Sequence, residues 1–210
     1  MASTNIFDTL RQRVESDQTR PEYERRAMYW FSSQRGLLTE WQRTTQQTTY
    51  GSLRQGTFTK QLVAPSRSIP GRLYFFRYNP LNRKTLPYYD RFPLVLVLEH
   101  YSNGDFLGLN FHYLNYFRRA RLFDALYSTY IREEANPLRA RLATSYDLIK
   151  DVTKYKAFRP CLKRYAVGAV QTPLLQVGVQ DWDLALFLPV DMFARTTKGN
   201  VWLDSETSII

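Results

Sequence analysis

The stretch RLYFFRYNPLNRKTLPYYDRFPLVLVLEHYSNGDFLGLNFHY, residues 72–113, combines dense aromatic content with the clearest strand signals in the chain. Leu73–Tyr78 is rich in the aromatic residues that favour strands, and Leu94–Leu98 is a short apolar run typical of a strand buried on both faces. An Asn-Gly pair within Ser102–Asp105 predicts a tight hairpin turn, because both residue types adopt positive φ angles. Phe106–Tyr113 then alternates between two faces. The stretch therefore predicts three antiparallel strands.

These signals predict an α+β protein. We expect a small, curved, partly closed antiparallel sheet of SH3-like type, packed by helices and preceded by an extended helical N-terminal arm. The chain of 210 residues is long enough for one such core plus an arm. Breaks in composition and periodicity divide it into four segments: a helical arm (1–38), an extended linker (39–70), an α+β core (71–194) and a peripheral tail (195–210).

Apolar spacing predicts the helices of the core. The strongest pattern runs from Leu114 to Ala135, with apolar residues three and four positions apart. A second helix is expected over Ser145–Tyr155, and a third begins near Arg159-Pro160 and carries Leu162, Tyr165, Ala166 and Ala169 on its inner face. Leu174–Val179 reads as a strand, and Trp182–Leu188 as a short apolar element that Asp181 caps.

The arm carries aromatic residues that its own size does not explain. From Glu22 onward the apolar positions follow helical spacing, and Gly36 is placed where a helix would end. So short a helical segment with few aliphatic residues would hardly fold alone. We therefore predict a protein interface with a neighbouring subunit at Tyr23, Trp30 and Phe31, although a solvated helix face remains an alternative.

Charge and hydropathy limit the classes of partner. The net charge of +10 favours a polyanion such as nucleic acid, or an acidic protein surface. No apolar run approaches the roughly 20 residues needed to span a bilayer, so no membrane partner is expected. The N-terminal MASTNIFDTLRQRV lacks the apolar core of a signal peptide, so we expect synthesis in the cytoplasm. Cys161 is the single cysteine, which excludes an intrachain disulfide.

One basic segment carries more than half of the net charge. Between residues 139 and 164, eight cationic side chains face only two aspartates, and Tyr155, Phe158 and Tyr165 lie among them as rings able to stack on bases. The alternative is that the rings belong to the core and the cations to a solvated face. The predicted nucleic-acid-binding residues are Arg139, Arg141, Lys150, Lys154, Lys156, Arg159, Lys163 and Arg164.

No catalytic constellation, cofactor motif or metal site is predicted from the residues. The chain has two histidines and one cysteine without paired ligand spacing, and it has no GxxxxGK[ST] phosphate loop. His112 is interpreted as a structural histidine. SH3-like sheets also occur in toxin ribonucleases, and in that alternative the candidates are Arg77, Asp90 and Arg91.

Four strings carry a resemblance to a known class of proteins. LPYYDRFPLVLVLE, FLGLNFHYL, FRPCLKRY and DWDLALFLPVDMF, which lie between Leu73 and Phe193, resemble motifs of structural proteins of T-even-type tailed phages (myoviruses). They are most similar to the DNA end protectors and less so to neck, tail or baseplate components. The N-terminal arm lies outside the resemblance.

The resemblance implies a non-enzymatic virion protein that is assembled in the host cytoplasm. It implies binding to the ends of packaged double-stranded DNA at the head–tail connector, within a symmetric assembly of other phage structural proteins. The alternative that it leaves open is a neck, tail or baseplate adaptor, whose basic face meets acidic protein neighbours.

Overall fold

The fold is taken from a computed structural model, which describes residues 15, 20–47, 62–123, 156–178, 181–188 and 193–207. Its helices are α1 (Arg20–Gln47), α2 (described over residues 116–123), α3 (Trp182–Leu186) and α4 (Lys198–Thr207). Its strands are β1 (Leu62–Val63), β2 (Leu73–Phe75), β3 (Tyr89–Asp90), β4 (Leu94–His100), β5 (Phe106–Asn110), β6 (Leu162–Tyr165), β7 (Leu174–Val177) and β8 (Phe193–Ala194).

A six-stranded sheet forms the centre of the described fold. Its strand order is β1-β7-β2-β4-β5-β6, every neighbouring pair is antiparallel, and β3 pairs with β8 in a separate ribbon. The α+β prediction is confirmed. The predicted closure of the sheet is not, because β1 and β6 lie at its two ends and do not pair with each other. The strand predicted over Leu94–Leu98 is present, and the one predicted over Leu174–Val179 is described as Leu174–Val177. Leu73–Tyr78 is regular only as far as Phe75.

The predicted hairpin joins β4 to β5, but its turn differs from the expected two-residue type. Gly104 has a φ of +85°, and Asn103 is not among the residues with positive φ. Asn103 instead accepts a hydrogen bond at Oδ1 from the Asp105 amide at 3.1 Å. The backbone closes a longer loop, in which Tyr101 donates to the carbonyl of Asp105 at 2.8 Å. After Asn110 the predicted alternation stops, because Phe111–Tyr113 forms a 3₁₀ turn.

The two faces of the sheet bury different clusters. One face packs against the helices and includes Phe75, Leu96 and Leu109. The other buries a smaller, more aromatic cluster around Tyr74, Phe76, Phe106 and Tyr165. The alternation of side chains along each strand explains this division, because neighbouring residues point to opposite faces.

Helix α1 packs on the sheet face that the helices cover, and it continues past the predicted stop. Phe31 is only 3% exposed, and Ala27 and Leu38 are buried with it in the core. A glycine inside a helix costs about 1 kcal/mol relative to alanine. Burying a leucine contributes about 1.5–3 kcal/mol, so the packing of Leu38 outweighs Gly36. The described residues within 1–38 therefore pack on the core and do not form a separate arm. The helix also includes residues 39–47, which were predicted to be part of the linker.

Two C-terminal expectations are also corrected. In place of the helix expected from Arg159 onward, the chain forms a 3₁₀ segment (Lys156–Cys161) followed by strand β6. The strand forms because it pairs with β5, and this pairing places Leu162 and Tyr165 on opposite faces of the sheet. The predicted peripheral tail contains α4, whose Val201 is 0% exposed. Trp202 donates from Nε1 to the carbonyl of His112 at 3.1 Å. The helix predicted over Ser145–Tyr155 lies outside the described residues.

Candidate nucleic-acid interface

The described part of the basic segment lies at the edge of the sheet. Of the eight predicted residues, Arg139, Arg141, Lys150 and Lys154 lie outside the described residues, as does the side chain of Lys156. Arg159 precedes β6, and Lys163 and Arg164 lie within it. The structure thus places Lys163 and Arg164 on an edge strand and Arg159 in the 3₁₀ segment before it, where a helix had been expected. As adjacent strand residues, Lys163 and Arg164 point to opposite faces.

Next to β6 the structure forms a cavity of about 280 Å³, which we call the tyrosine pocket. It lies between β5, β6 and the segment 78–90, and five of its twelve described lining residues are tyrosines. Its lining consists of Tyr78, Pro80, Leu86, Pro87, Tyr88, Tyr89, Asp90, Asn110, Tyr113, Lys163, Arg164 and Tyr165.

Lys163 provides a cation in the wall of this pocket. Its Nζ lies 4.1 Å from the centroid of the Tyr113 ring, close enough for a cation–π contact. Burial lowers the pKa of Lys163, because desolvation disfavours the charged ammonium. Among the described residues, no carboxylate lies within ion-pair distance of it. An anionic ligand in the pocket would compensate this partly desolvated charge.

Arg164 differs from Lys163 because it already has an anionic partner. It donates from Nε and Nη2 to Oδ2 of Asp105 at 3.2 and 2.9 Å, and its guanidinium lies 4.5 Å from the Tyr101 ring centroid. The pKa of Asp105 is lowered, mainly by the hydrogen bond from the Val167 amide and also by Asn103 and Arg164. Arg164 therefore offers a phosphate less net charge than Lys163 does.

Asp90, the carboxylate among the described lining residues, is committed to the interior. Its Oδ1 accepts from the Phe92 amide at 3.0 Å, and its Oδ2 accepts from Asn110 Nδ2 at 3.1 Å and from His112 Nδ1 at 2.7 Å. Asp90 and His112 are 4% and 0% exposed. This arrangement agrees with a structural role for His112. It gives no support to the ribonuclease alternative with Arg77, Asp90 and Arg91, because the Asp90 carboxylate is already occupied by internal donors.

The tyrosines of the pocket are braced from behind. The Tyr78 ring lies 5.0 Å from that of Tyr165, and Tyr88 contacts Tyr113 at 6.1 Å and Phe193 at 5.9 Å. Burial and the nearby Asp204 raise the pKa of Tyr88 to about 12. Tyr88 is therefore neutral at physiological pH, and the packed rings form a fixed aromatic wall.

Sequence reasoning missed most of this pocket. Among the rings proposed to stack on bases, Tyr165 is buried against Phe106 and Phe158 packs on the core, which agrees with the core alternative for both. Tyr155 lies outside the described residues. The sequence feature that could have indicated the pocket is the pair Tyr88-Tyr89 between two prolines. Only the fold shows that these tyrosines and Lys163 line the same pocket.

The predicted interface residues of α1 contact their own chain. Tyr23 stacks on Phe187 at 5.7 Å, Trp30 meets Phe75 at 6.3 Å, and Phe31 meets Phe75 at 5.3 Å. The sheet explains why a helix with so few aliphatic residues folds. A contact with a neighbouring subunit stays a prediction.

Beside these residues, a groove of about 480 Å³ runs along α1 next to Leu184 of α3 and includes Trp30. Tyr29 borders this groove and is 81% exposed.

The described ranges lack two further features, a metal-ion site and a membrane-spanning helix. These ranges hold no group of three or more His, Cys, Asp or Glu residues arranged to bind a metal ion. They also contain no helix whose length and apolar character would let it cross a membrane.

Comparison with known proteins identifies a family. A family model described as the phage T4 terminal DNA protecting protein matches residues 38–205, which include β6 and the whole tyrosine pocket. No curated protein and no solved structure matches the chain. The match spans well over half of the chain and covers the whole stretch in which the resemblance to DNA end protectors was seen. The chain therefore belongs to the family of the phage T4 terminal DNA protecting protein.

Proposed function

We propose that this protein binds the ends of linear double-stranded phage DNA as a non-enzymatic cap, using the basic edge at β6. The family description names the protection of terminal DNA, and the net charge of +10 suits a polyanionic partner. The structural observation that carries the proposal is Lys163. This cation is partly desolvated in the wall of an aromatic pocket, and no described carboxylate neutralises it. Its environment therefore favours a phosphate.

The remaining basic residues belong to the same proposal. Arg159 is exposed at the start of the β6 edge, and we assign Arg139, Arg141, Lys150, Lys154 and Lys156 to the DNA-binding surface on the charge of their segment alone. Cations along one face would follow the phosphate backbone without reading sequence. This suits a protein that must accept whatever sequence ends the DNA.

We further propose that the protein acts in the virion, at the head–tail connector, in a symmetric assembly with other phage structural proteins after assembly in the host cytoplasm. The groove along α1 supports a protein contact, because Tyr29, which lines it, is 81% exposed. The same observation favours the second candidate function, a neck, tail or baseplate adaptor whose partners are proteins.

Binding to labelled linear duplex over a salt series, with circular DNA of equal length as competitor, tests the proposal. We expect binding that circular DNA displaces poorly, together with protection of the linear duplex from a double-strand exonuclease. Replacing Arg159 and Lys163 by Gln should make the salt slope shallower by up to about two, because each phosphate contact contributes about 0.9 to it. The control replaces Arg25 and Arg67 by Gln; both side chains are exposed, and neither belongs to β6 or lines the tyrosine pocket.

The outcomes separate the candidates. If circular DNA displaces the labelled linear duplex as well as linear DNA does, the basic edge has only a general affinity for phosphate and does not recognise ends. No binding of either DNA at moderate salt would favour the adaptor. An equal change of slope in both double variants would contradict the assignment of the DNA contact to β6.

A further inference from the structure

We infer that the tyrosine pocket receives the terminal nucleotide of a DNA strand, with its base against the tyrosine rings and its phosphate at Lys163. This inference rests on the proposed function, and it names the part of the DNA end that the site recognises. It requires the last nucleotide to be unpaired, either because the terminal base pair has frayed or because the nucleotide belongs to a single-stranded overhang.

The size of the pocket selects one nucleotide. Its volume of about 280 Å³ lies at the lower limit of small-molecule sites, which span roughly 300–1,000 Å³. A base with its sugar and phosphate is a ligand of that small class, whereas a stacked base pair is twice as large and rigidly planar. A duplex end can therefore enter only by giving up the pairing of its last base.

The walls suit a base of any sequence. Tyr78, Tyr88, Tyr89 and Tyr113 surround the space with aromatic side chains, and stacking on aromatic rings tolerates every base because each has a π face. The amide of Asn110 is already used, since it donates to Asp90 and accepts from the His112 amide. It is not available to read base edges. Recognition here would depend on the presence of an end and not on its sequence.

The charge of the pocket is arranged for a phosphate at its rim. Lys163 lies in the lining without a described carboxylate partner, while Arg164 is held by Asp105. Two more cations, Arg83 and Lys84, are exposed on the loop between Pro80 and Leu86, which both line the pocket. A strand leaving the pocket would meet positive charge from this loop as well as from β6.

The loop that forms one wall is held in place before any ligand binds. Arg195 donates from Nη1 to the carbonyls of Lys84 and Leu86 at 3.3 and 3.1 Å. Arg195 itself has a φ of +71°, a conformation that non-glycine residues rarely adopt and that surrounding contacts must maintain. Such a fixed wall reduces the ordering needed on binding.

Photo-crosslinking with the unmodified protein provides the first test. Duplexes carry 5-iodouracil either in a one-nucleotide overhang or several pairs inside, and crosslinked peptides are identified by mass spectrometry. We expect the terminal probe to crosslink to the tyrosines of the pocket and the internal probe to crosslink elsewhere. Crosslinks from the terminal probe that map outside the pocket, or equal labelling of the pocket by both probes, would overturn the inference.

The second test uses variants. It measures the ratio of the affinity for overhang duplexes to the affinity for duplexes closed by hairpins at both ends. Lys163→Gln and Tyr89→Leu should each reduce this ratio roughly tenfold, which corresponds to the loss of one stacking or phosphate contact. The controls are Arg25→Gln and Tyr29→Leu, which remove a cation and a tyrosine ring outside the pocket and should leave the ratio unchanged. Thermal unfolding of each variant separates a binding defect from misfolding.

The two proposals fail differently. If hairpin-closed DNA binds as well as open DNA to the unmodified protein, the proposed end-binding function fails. If open ends are preferred but Lys163→Gln and Arg25→Gln behave alike, the end-binding function stands and the pocket is not the site. If the pocket is the site, binding to ends with and without a 5′ phosphate shows which strand terminus enters.

Discussion

Asp90 illustrates how a carboxylate in a pocket wall can have a structural role. Its two oxygens accept hydrogen bonds from Phe92, Asn110 and His112, which belong to three segments of the described fold. Such a buried carboxylate is stable only because donors compensate its desolvation. The network fixes the entrance of β4 against the end of β5, and in this way it positions the wall that Tyr88 and Tyr89 form.

Gly108 is the residue at which a single added atom should matter most. A Cβ there would lie 2.2 Å from Val95 Cγ1 and 2.8 Å from the carbonyl oxygen of Leu96. Because the second contact is backbone, we expect Gly108→Ala to lower the free energy of unfolding by about 1–3 kcal/mol or more, measured by chemical denaturation.

The neighbouring side chain allows a sharper version of this test. Adding Val95→Ala to Gly108→Ala should cost less than the sum of the single changes, since it removes the closer contact. Gly168→Ala is the matched control, because an added Cβ there meets nothing within 4 Å. Strict additivity of the two substitutions would contradict the close approach of β4 and β5.

At the scale of elements, β6 and α1 show tertiary contacts deciding secondary structure. Residues 159–169 have helical apolar spacing, yet Leu162–Tyr165 completes the edge of the sheet, because β5 offers unpaired backbone groups and Phe106 offers a ring for Tyr165. In α1, Gly36 would end an isolated helix. It lies inside the helix here, because residues before and after it in the chain pack in the core. Local preference is overruled where packing contributes more.

Gly36 gives a prediction for this element. It is exposed and has open space around the position of a Cβ. We expect Gly36→Ala to raise the free energy of unfolding by about 0.5–1 kcal/mol, because alanine restricts the unfolded chain and favours the helix. Thermal and urea unfolding would measure the change. A destabilisation would indicate that Gly36 adopts a left-handed conformation and ends the helix, as its sequence context suggests.

At the scale of the whole molecule, segments distant in sequence close over one sheet. Helix α1 contributes Phe31 to the core, and α4 contributes Val201 from the other end of the chain. Arg119 in α2 joins this layer to α3 by donating from Nη1 to the carbonyls of Leu186 and Leu188 at 3.1 and 3.0 Å. The supposed arm and tail are thus parts of one core where they are described.

Phe31 and Tyr29 test this arrangement as a pair. Phe31→Ala should destabilise the protein by about 3–5 kcal/mol, since it removes a fully buried ring between Phe75 and Phe92. Tyr29→Ala, at an exposed position of the same helix, should change stability by no more than about 0.5 kcal/mol.

The same two variants address assembly. If the exposed groove on α1 receives a partner, Tyr29→Ala should weaken assembly in sedimentation experiments while folding is unchanged. Unaltered stability in Phe31→Ala would contradict the packing of α1 on the sheet. It would favour the predicted contact between Phe31 and a neighbouring subunit.

The sequence by itself determined the class of the fold and its central strands. The apolar run Leu94–Leu98, the turn at Gly104 and the strand at Leu174–Val177 follow from local rules, because burial on both faces and positive φ leave direct traces in residue type. Its motifs also indicated the family that the comparison identified.

Tertiary structure alone decided the rest. Whether Arg159–Tyr165 forms a helix or an edge strand depends on β5, and whether Phe31 faces a partner or its own core depends on Phe75 and Phe92. The tyrosine pocket combines residues 78–90 with residues 163–165, so no local pattern could reveal it. Local propensity acts over a few residues, whereas a site takes its shape from contacts between segments far apart in the chain.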